Sequence, residues 1–164
     1  MTYKYTLDAN ILINFHRSYY PFDIAPSFWR QLAEKSKQKV VLLDKIKVEI
    51  AKNDDKLAQW LAENDHCFLT KSINDTEIVS NYSKIITSVK SNRQYTESAK
   101  IEFANIADSW LCALAITYNY VIVTQETYQP EIKRRVKIPN ICKEFNIHYI
   151  DMLRFIRDIG IRFD

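Results

Sequence analysis

Residues Tyr120–Thr124 read "YVIVT". Three β-branched apolar residues in succession leave no polar face, so a strand here has to be buried on both sides. Such a strand belongs to a sheet covered by helices above and below, and the rest of the chain supplies both. "VVLL" (Val40–Leu43) is a second short apolar run, Tyr3–Leu7 a first strand, and "HCFLT" (His66–Thr70) and "HYI" (His148–Ile150) two more. Between them lie helical stretches: Ile11 to about Tyr19, and from Ser27 to the polar "EKSKQK". Lys45–Ala51 follows behind Asp44 as cap, and a segment carrying Trp60 and Leu61 behind Asp54 or Asp55. Asp75–Lys90 and Thr96–Tyr118 read as longer helices, Pro139 marks another helix start, and Asp151 caps a last one. Pro21 and Pro26 make "YYPFDIAPSFW" a turn-rich connection. Short apolar strands alternating with helices predict an α/β domain around a mostly parallel sheet, and 164 residues suit a single domain, 1–164.

Composition narrows the chemistry. Hydrophobic residues make up 47%, which excludes a disordered or fibrous chain. No apolar run approaches the roughly 18 residues of a membrane span, and no basic segment leads into a continuous apolar one, so neither membrane nor secretory signal is expected. Cys67, Cys112 and Cys142 are dispersed with no CxxC pair, which points to reduced thiols with packing roles in a cytoplasm. Gly160 is the only glycine. A Walker loop or a dinucleotide fingerprint needs several, for positive φ and close backbone approach to phosphate, so both are excluded. Phosphate would have to be handled by side chains or metals. The formal charge of +3 permits an acidic partner without requiring one.

In an α/β fold, sites gather beyond the carboxyl ends of the strands. Asp8 ends the first strand, and Thr124 and Glu126 close "VIVTQE". Glu49 lies on the helix after "VVLL", beside Ile50 and one turn from Ile46, and reads as facing inward. Asp108 opens "DSWLCALAI"; in a continuous helix, Ile101, Ala104, Leu111, Cys112 and Ala115 share one face. A carboxylate turned toward a core is costly unless cations or donors compensate. Singly, each acid has an ordinary explanation: Asp8 or Asn10 caps the next helix, Asp108 caps a helix that breaks there, and Glu49 and Glu126 are solvated. Together, strand-end acids and an inward helical acid are what a divalent-metal site requires.

The ordered segments "YTLDANILI", "IKVEIAK", "IADSWLCALA" and "VIVTQE" resemble the PIN-domain nucleases. "YYPFDIAPSFW", "LAQWL", "KIPNICKEFNI" and "RDIGIRF" are similar to one bacterial PIN-like subfamily described as nucleic-acid-binding, so the resemblance covers essentially the whole chain. It implies a Rossmann-like three-layer α/β/α sandwich and a Mg²⁺- or Mn²⁺-dependent ribonuclease. It also implies RNA as substrate, an antitoxin protein as partner where the nuclease is a toxin, and leaves room for a homodimer. By position, Asp8, Glu49 and Asp108 match the pattern's first three acids and Glu126 its variable last one, as catalytic and metal-binding residues. Asn10 and Thr124 match its polar neighbours, with Asn10 expected to cap the next helix and steady Asp8. Glu126 is longer than the usual Asp at its position, so it acts on a metal directly, through water, or not at all.

The residue types agree with that chemistry. Hard divalent cations, held by oxygen ligands, offset the charge gained when a phosphodiester is attacked. His16, His66 and His148 lack ligand-like spacing and read as structural or surface residues. "KRRVK", with Lys133, Arg134 and Arg135, is a candidate for attracting the RNA backbone, as are Arg154, Arg157 and Arg162; a merely solvated basic face is the alternative. Two rivals stand beside the nuclease. A haloacid-dehalogenase-like phosphatase wants a second acid where Asn10 stands, and a later acidic pair that is missing. A non-catalytic PIN-like module would bind RNA or protein without cutting.

Overall fold

The structure, a computed structural model, describes residues 3–164. Five strands form one all-parallel sheet: β1 (Tyr5–Leu7), β2 (Val40–Leu43), β3 (Leu69–Lys71), β4 (Val121–Val123) and β5 (Tyr149–Ile150), in the order β3-β2-β1-β4-β5. Every residue of β2 and β4 is buried, as their unbroken apolar sequences demand. The order grows outward in one direction from β1 through β2 to β3, then restarts on its other side with β4 and β5. The reversal falls between β1 and β4. At such a reversal the chain leaves two neighbouring strands toward opposite faces of the sheet, which is where α/β folds place a crevice.

Helices fill both faces. On one, α5 (Thr76–Ser91), α6 (Glu97–Asn105), α7 (Ala107–Tyr118) and α8 (Ile138–Phe145) pack together, with α7 against α5, α6 and α8. On the other, α2 (Pro26–Ser36) is tied to the chain end after α9 (Met152–Ile159): the Gln31 side chain donates to the Arg162 carbonyl at 2.9 Å and accepts from its N–H at 3.0 Å. Trp29 of α2 meets Trp60 of α4 (Lys56–Glu63) edge-on at 4.9 Å, and α4 follows α3 (Asp44–Lys52). The result is the three-layer α/β/α arrangement. Where a chain this poor in glycine needs left-handed caps, it uses asparagine: Asn119 ends α7 and Asn146 ends α8, and Gly160 serves α9.

Three expectations are corrected. Thr96–Tyr118 is two helices, not one. Asn105 turns its side-chain amide back onto the Ile101 carbonyl (2.9 Å), and Ile106 is extended, so α6 stops and α7 starts afresh. Ile101 therefore stands 63% exposed and does not share a face with the buried Leu111 and Cys112. The first helix, α1, spans Ala9–Asn14 and passes into a π-helical turn over Phe15–Tyr19, with Tyr20 N–H bonded to the Phe15 carbonyl at 2.7 Å. "HCFLT" becomes strand only at Leu69; residues 65–67 form a 3₁₀ turn. Among the described residues no helix is long and apolar enough to cross a membrane.

Ile122 is the middle residue of β4 and fully buried. Ile122→Ala should lower stability by about 2–5 kcal/mol, read from the midpoint of urea unfolding. A loss within a few tenths of zero would mean that β4 is not buried between the two helical layers.

Candidate functional site

Asp8 is the first residue beyond β1, and its own N–H is held by the Val123 carbonyl of β4 at 3.1 Å. Asp8 as a whole is only 2% exposed. One oxygen, Oδ1, accepts from the Asn10 N–H at 3.3 Å and caps α1; the other, Oδ2, accepts from the Thr124 hydroxyl at 3.2 Å. Thr124 Oγ1 in turn accepts from the Glu126 N–H at 3.1 Å. One threonine thus joins the ends of β1 and β4 and sets the direction of the loop carrying Glu126. Capping accounts for one oxygen of Asp8. It does not account for the acids gathered around it.

Asp108 reaches the same place from α7. Because α6 stops at Asn105, Asp108 falls in the first turn of a new helix, where the free N–H groups favour a negative charge. It is nevertheless half-buried, and burial is the largest cause that pushes its pKa up to about 8; Asp8 and Glu126 repel its charge further, and Arg135 acts in the opposite sense. Asp8 is raised to about 6, first by burial and then by the charges of Glu126 and Glu49, against the bonds from Asn10 and Thr124. Glu126 is held by the Ile138 N–H at the start of α8 (3.4 Å to Oε2) and paired with Arg135 (Nη2–Oε1 3.6 Å). That pair is too long for a hydrogen bond, and Glu126 Oε1 is buried without one. Reciprocal bonds between Asn140 and Gln129, at 3.2 and 2.8 Å, pin the loop between β4 and α8.

Residues 5–163 match the family model described as Domain of unknown function (DUF4411). The chain belongs to that family. No curated protein matches it.

Asp8, Asp108 and Glu126 of this DUF4411 chain therefore come together beside the reversal point, with Thr124 linking the Asp8 carboxylate to the Glu126 main chain. Glu49 differs from expectation. Ile46 and Ile50 take the buried face of α3, which leaves Glu49 exposed at the rim, near enough to act on both aspartates but not turned into the core. Asn10 is also corrected: α1 begins at Ala9, so Asp8 is the cap, and Asn10 is exposed and contributes only its main-chain N–H. Lys133, Arg134 and Arg135 are all exposed, and Arg135 is in addition paired with an acid of the site. Cys112 and Cys142, dispersed in sequence, meet beneath the site: the Cys112 thiol donates toward Cys142, and that bond together with burial pushes its pKa well up.

An oxygen-only donor set, an orphaned carboxylate oxygen and two aspartates raised by burial and by neighbouring acids suit a hard divalent cation. Among the described residues no three Asp, Glu, His or Cys side chains are drawn together closely enough to enclose an ion.

Both aspartates are raised above their ordinary 3.8, so the folded state holds more protons than the unfolded chain between about pH 4 and about pH 8. Stability from these groups is full below that window and falls as pH rises through it. Asp108→Asn removes the larger contribution. In chelator it should melt with wild type near pH 4 and above it near pH 8, by differential scanning calorimetry; parallel profiles would mean that Asp108 is not under this repulsion.

Proposed function

We propose that this protein is a PIN-like, Mg²⁺- or Mn²⁺-dependent endoribonuclease that hydrolyses RNA phosphodiester bonds. The observation that carries the proposal is the approach of Asp8, Asp108 and Glu126, from three separate elements, beside the reversal between β1 and β4, with Asp8 raised by burial and the charges of Glu126 and Glu49, and Asp108 by burial and the charges of Asp8 and Glu126. Asp8, Asp108 and Glu126, with Glu49 from the rim, would hold the cation. When bound, it would polarise water and offset charge on the attacked phosphate.

The chain's own residues do the positioning. Asp8 is fixed by the Asn10 N–H and the Thr124 hydroxyl, which leave its outward lone pairs free. Glu126 is steadied by Ile138 and Arg135, so a cation drawing on it would compete with the guanidinium. Burial of Asp8 keeps water from screening its charge on the core side. The ordered resemblance of "YTLDANILI", "IKVEIAK", "IADSWLCALA" and "VIVTQE" to the PIN nucleases supports the same reaction, and extends it to a toxin restrained by an antitoxin.

A second reading, a non-catalytic PIN-like module that binds RNA or protein, draws on one observation: Arg135 already offsets part of the acidic charge. Turnover separates the two. With Mn²⁺, wild type should cut mixed single-stranded RNA. Asp8→Asn keeps the α1 cap, since Asn caps about as well as Asp, and should retain the fold. Its cleavage rate should fall at least about a hundredfold, because even groups that merely orient a ligand are worth about 10–100-fold, the loss expected of Thr124→Val. RNA binding without metal-dependent cleavage in wild type would favour the module. Growth arrest on expression, relieved by Asp8→Asn, would favour the toxin.

A further inference from the structure

A groove of about 290 Å³ runs between α3 and the α6–α7 break, bordered by Lys45, Glu49 and Lys52 on one side and by Asn105, Ile106 and Ala107 on the other. It lies beside the acids: Glu49 lines it, and its far wall ends at Ala107, one residue before Asp108. Lys45 and Lys52 stand four residues before and three after Glu49, so all three share a face of α3. Neither ammonium lies within ion-pair distance of a carboxylate among the described residues, whereas Lys47, Lys100, Arg135 and Arg154 are each paired. Two uncommitted cations thus border the acids, about 10 Å apart along the helix, too far to serve one phosphate and suitably spaced for two. Opposite them, no side chain caps the first N–H groups of α7, which adds a second positive edge.

We infer that this groove is the path of a single-stranded RNA backbone, with Lys45 and Lys52 holding phosphates that flank the one placed at the acids. The inference rests on the phosphodiester reading of the site and adds where the strand lies. Four carboxylates repel a polyanion, and a cation bound among them offsets charge only at the reacting phosphate. The neighbouring phosphates need fixed cations of their own, set beside the acids rather than among them. Lys45 and Lys52 meet that requirement. Lys133 and Arg134 belong to the loop before α8 and line no part of this groove.

The test is fluorescence anisotropy of a short labelled single-stranded RNA of mixed sequence, in chelator so that nothing is cut, with Mn²⁺-dependent cleavage of the same RNA measured in parallel. Lys45→Gln with Lys52→Gln keeps helix propensity and touches no acid, so its melting temperature checks the fold. Binding should weaken about tenfold near physiological salt, and the log–log salt slope should flatten by about 1.4, roughly 0.7 for each lost contact. Lys45→Arg with Lys52→Arg should restore both. If wild type binds and the glutamine variant binds equally with the same slope, the groove is not the path, while cleavage by wild type would leave the nuclease reading standing. If the variant loses binding but wild type never cleaves, the path holds and the catalytic reading fails. Wild type that does not bind at all overturns the path.

Discussion

Asp8, Asp108 and Glu126 stand within electrostatic reach of one another beside the reversal between β1 and β4, Glu49 stands at the rim, and one guanidinium, Arg135, is placed to offset them. Nothing in folding itself favours such a gathering. Burial alone raises a carboxylate, and each further acid raises it more. The elements that converge here are nevertheless built to deliver acids: a strand end, a strand-following loop and a helix that restarts just before its acid. The unmet negative charge is the constraint that organises this end of the molecule.

The parallel sheet makes the gathering unavoidable. With all five strands running the same way, every strand's carboxyl end lies on one edge, and the reversal of order between β1 and β4 opens that edge beside Asp8. The Thr124 hydroxyl then couples the strands chemically, donating to Asp8 and accepting from the Glu126 N–H. Arg135 and the start of α8 hold Glu126, and the Asn140–Gln129 bonds hold the loop between them. The site rests on short connections between rigid elements, which favours fixed ligand directions over mobile ones.

Much of this was legible in the residues. The run "YVIVT" reads as a strand buried on both faces, "VVLL" is too brief to assign by periodicity alone, and acids placed directly after strands fall at the carboxyl edge of the sheet. What escaped the sequence has physical reasons. The break at Ile106 depends on Asn105 bonding its own helix, a choice that helical periodicity cannot register, since both halves are good helix. The outward turn of Glu49 follows from Ile46 and Ile50 claiming the buried face of a short helix, which leaves position 49 outside. The Arg135–Glu126 pair and the meeting of Cys112 with Cys142 join residues 9 and 30 positions apart through tertiary packing, beyond any local pattern. "KRRVK" announced its charge but not which of its cations would be spent inside the site.

The most direct measurement is anomalous diffraction from crystals soaked in Mn²⁺. The central claim is that the acids at the reversal point form a place for a divalent cation. It predicts a manganese peak in the crevice touching Asp8 and Asp108, with Glu126 or Glu49 drawn toward it. Manganese bound only elsewhere, or not at all, with Asp8 and Asp108 unmoved, would contradict it.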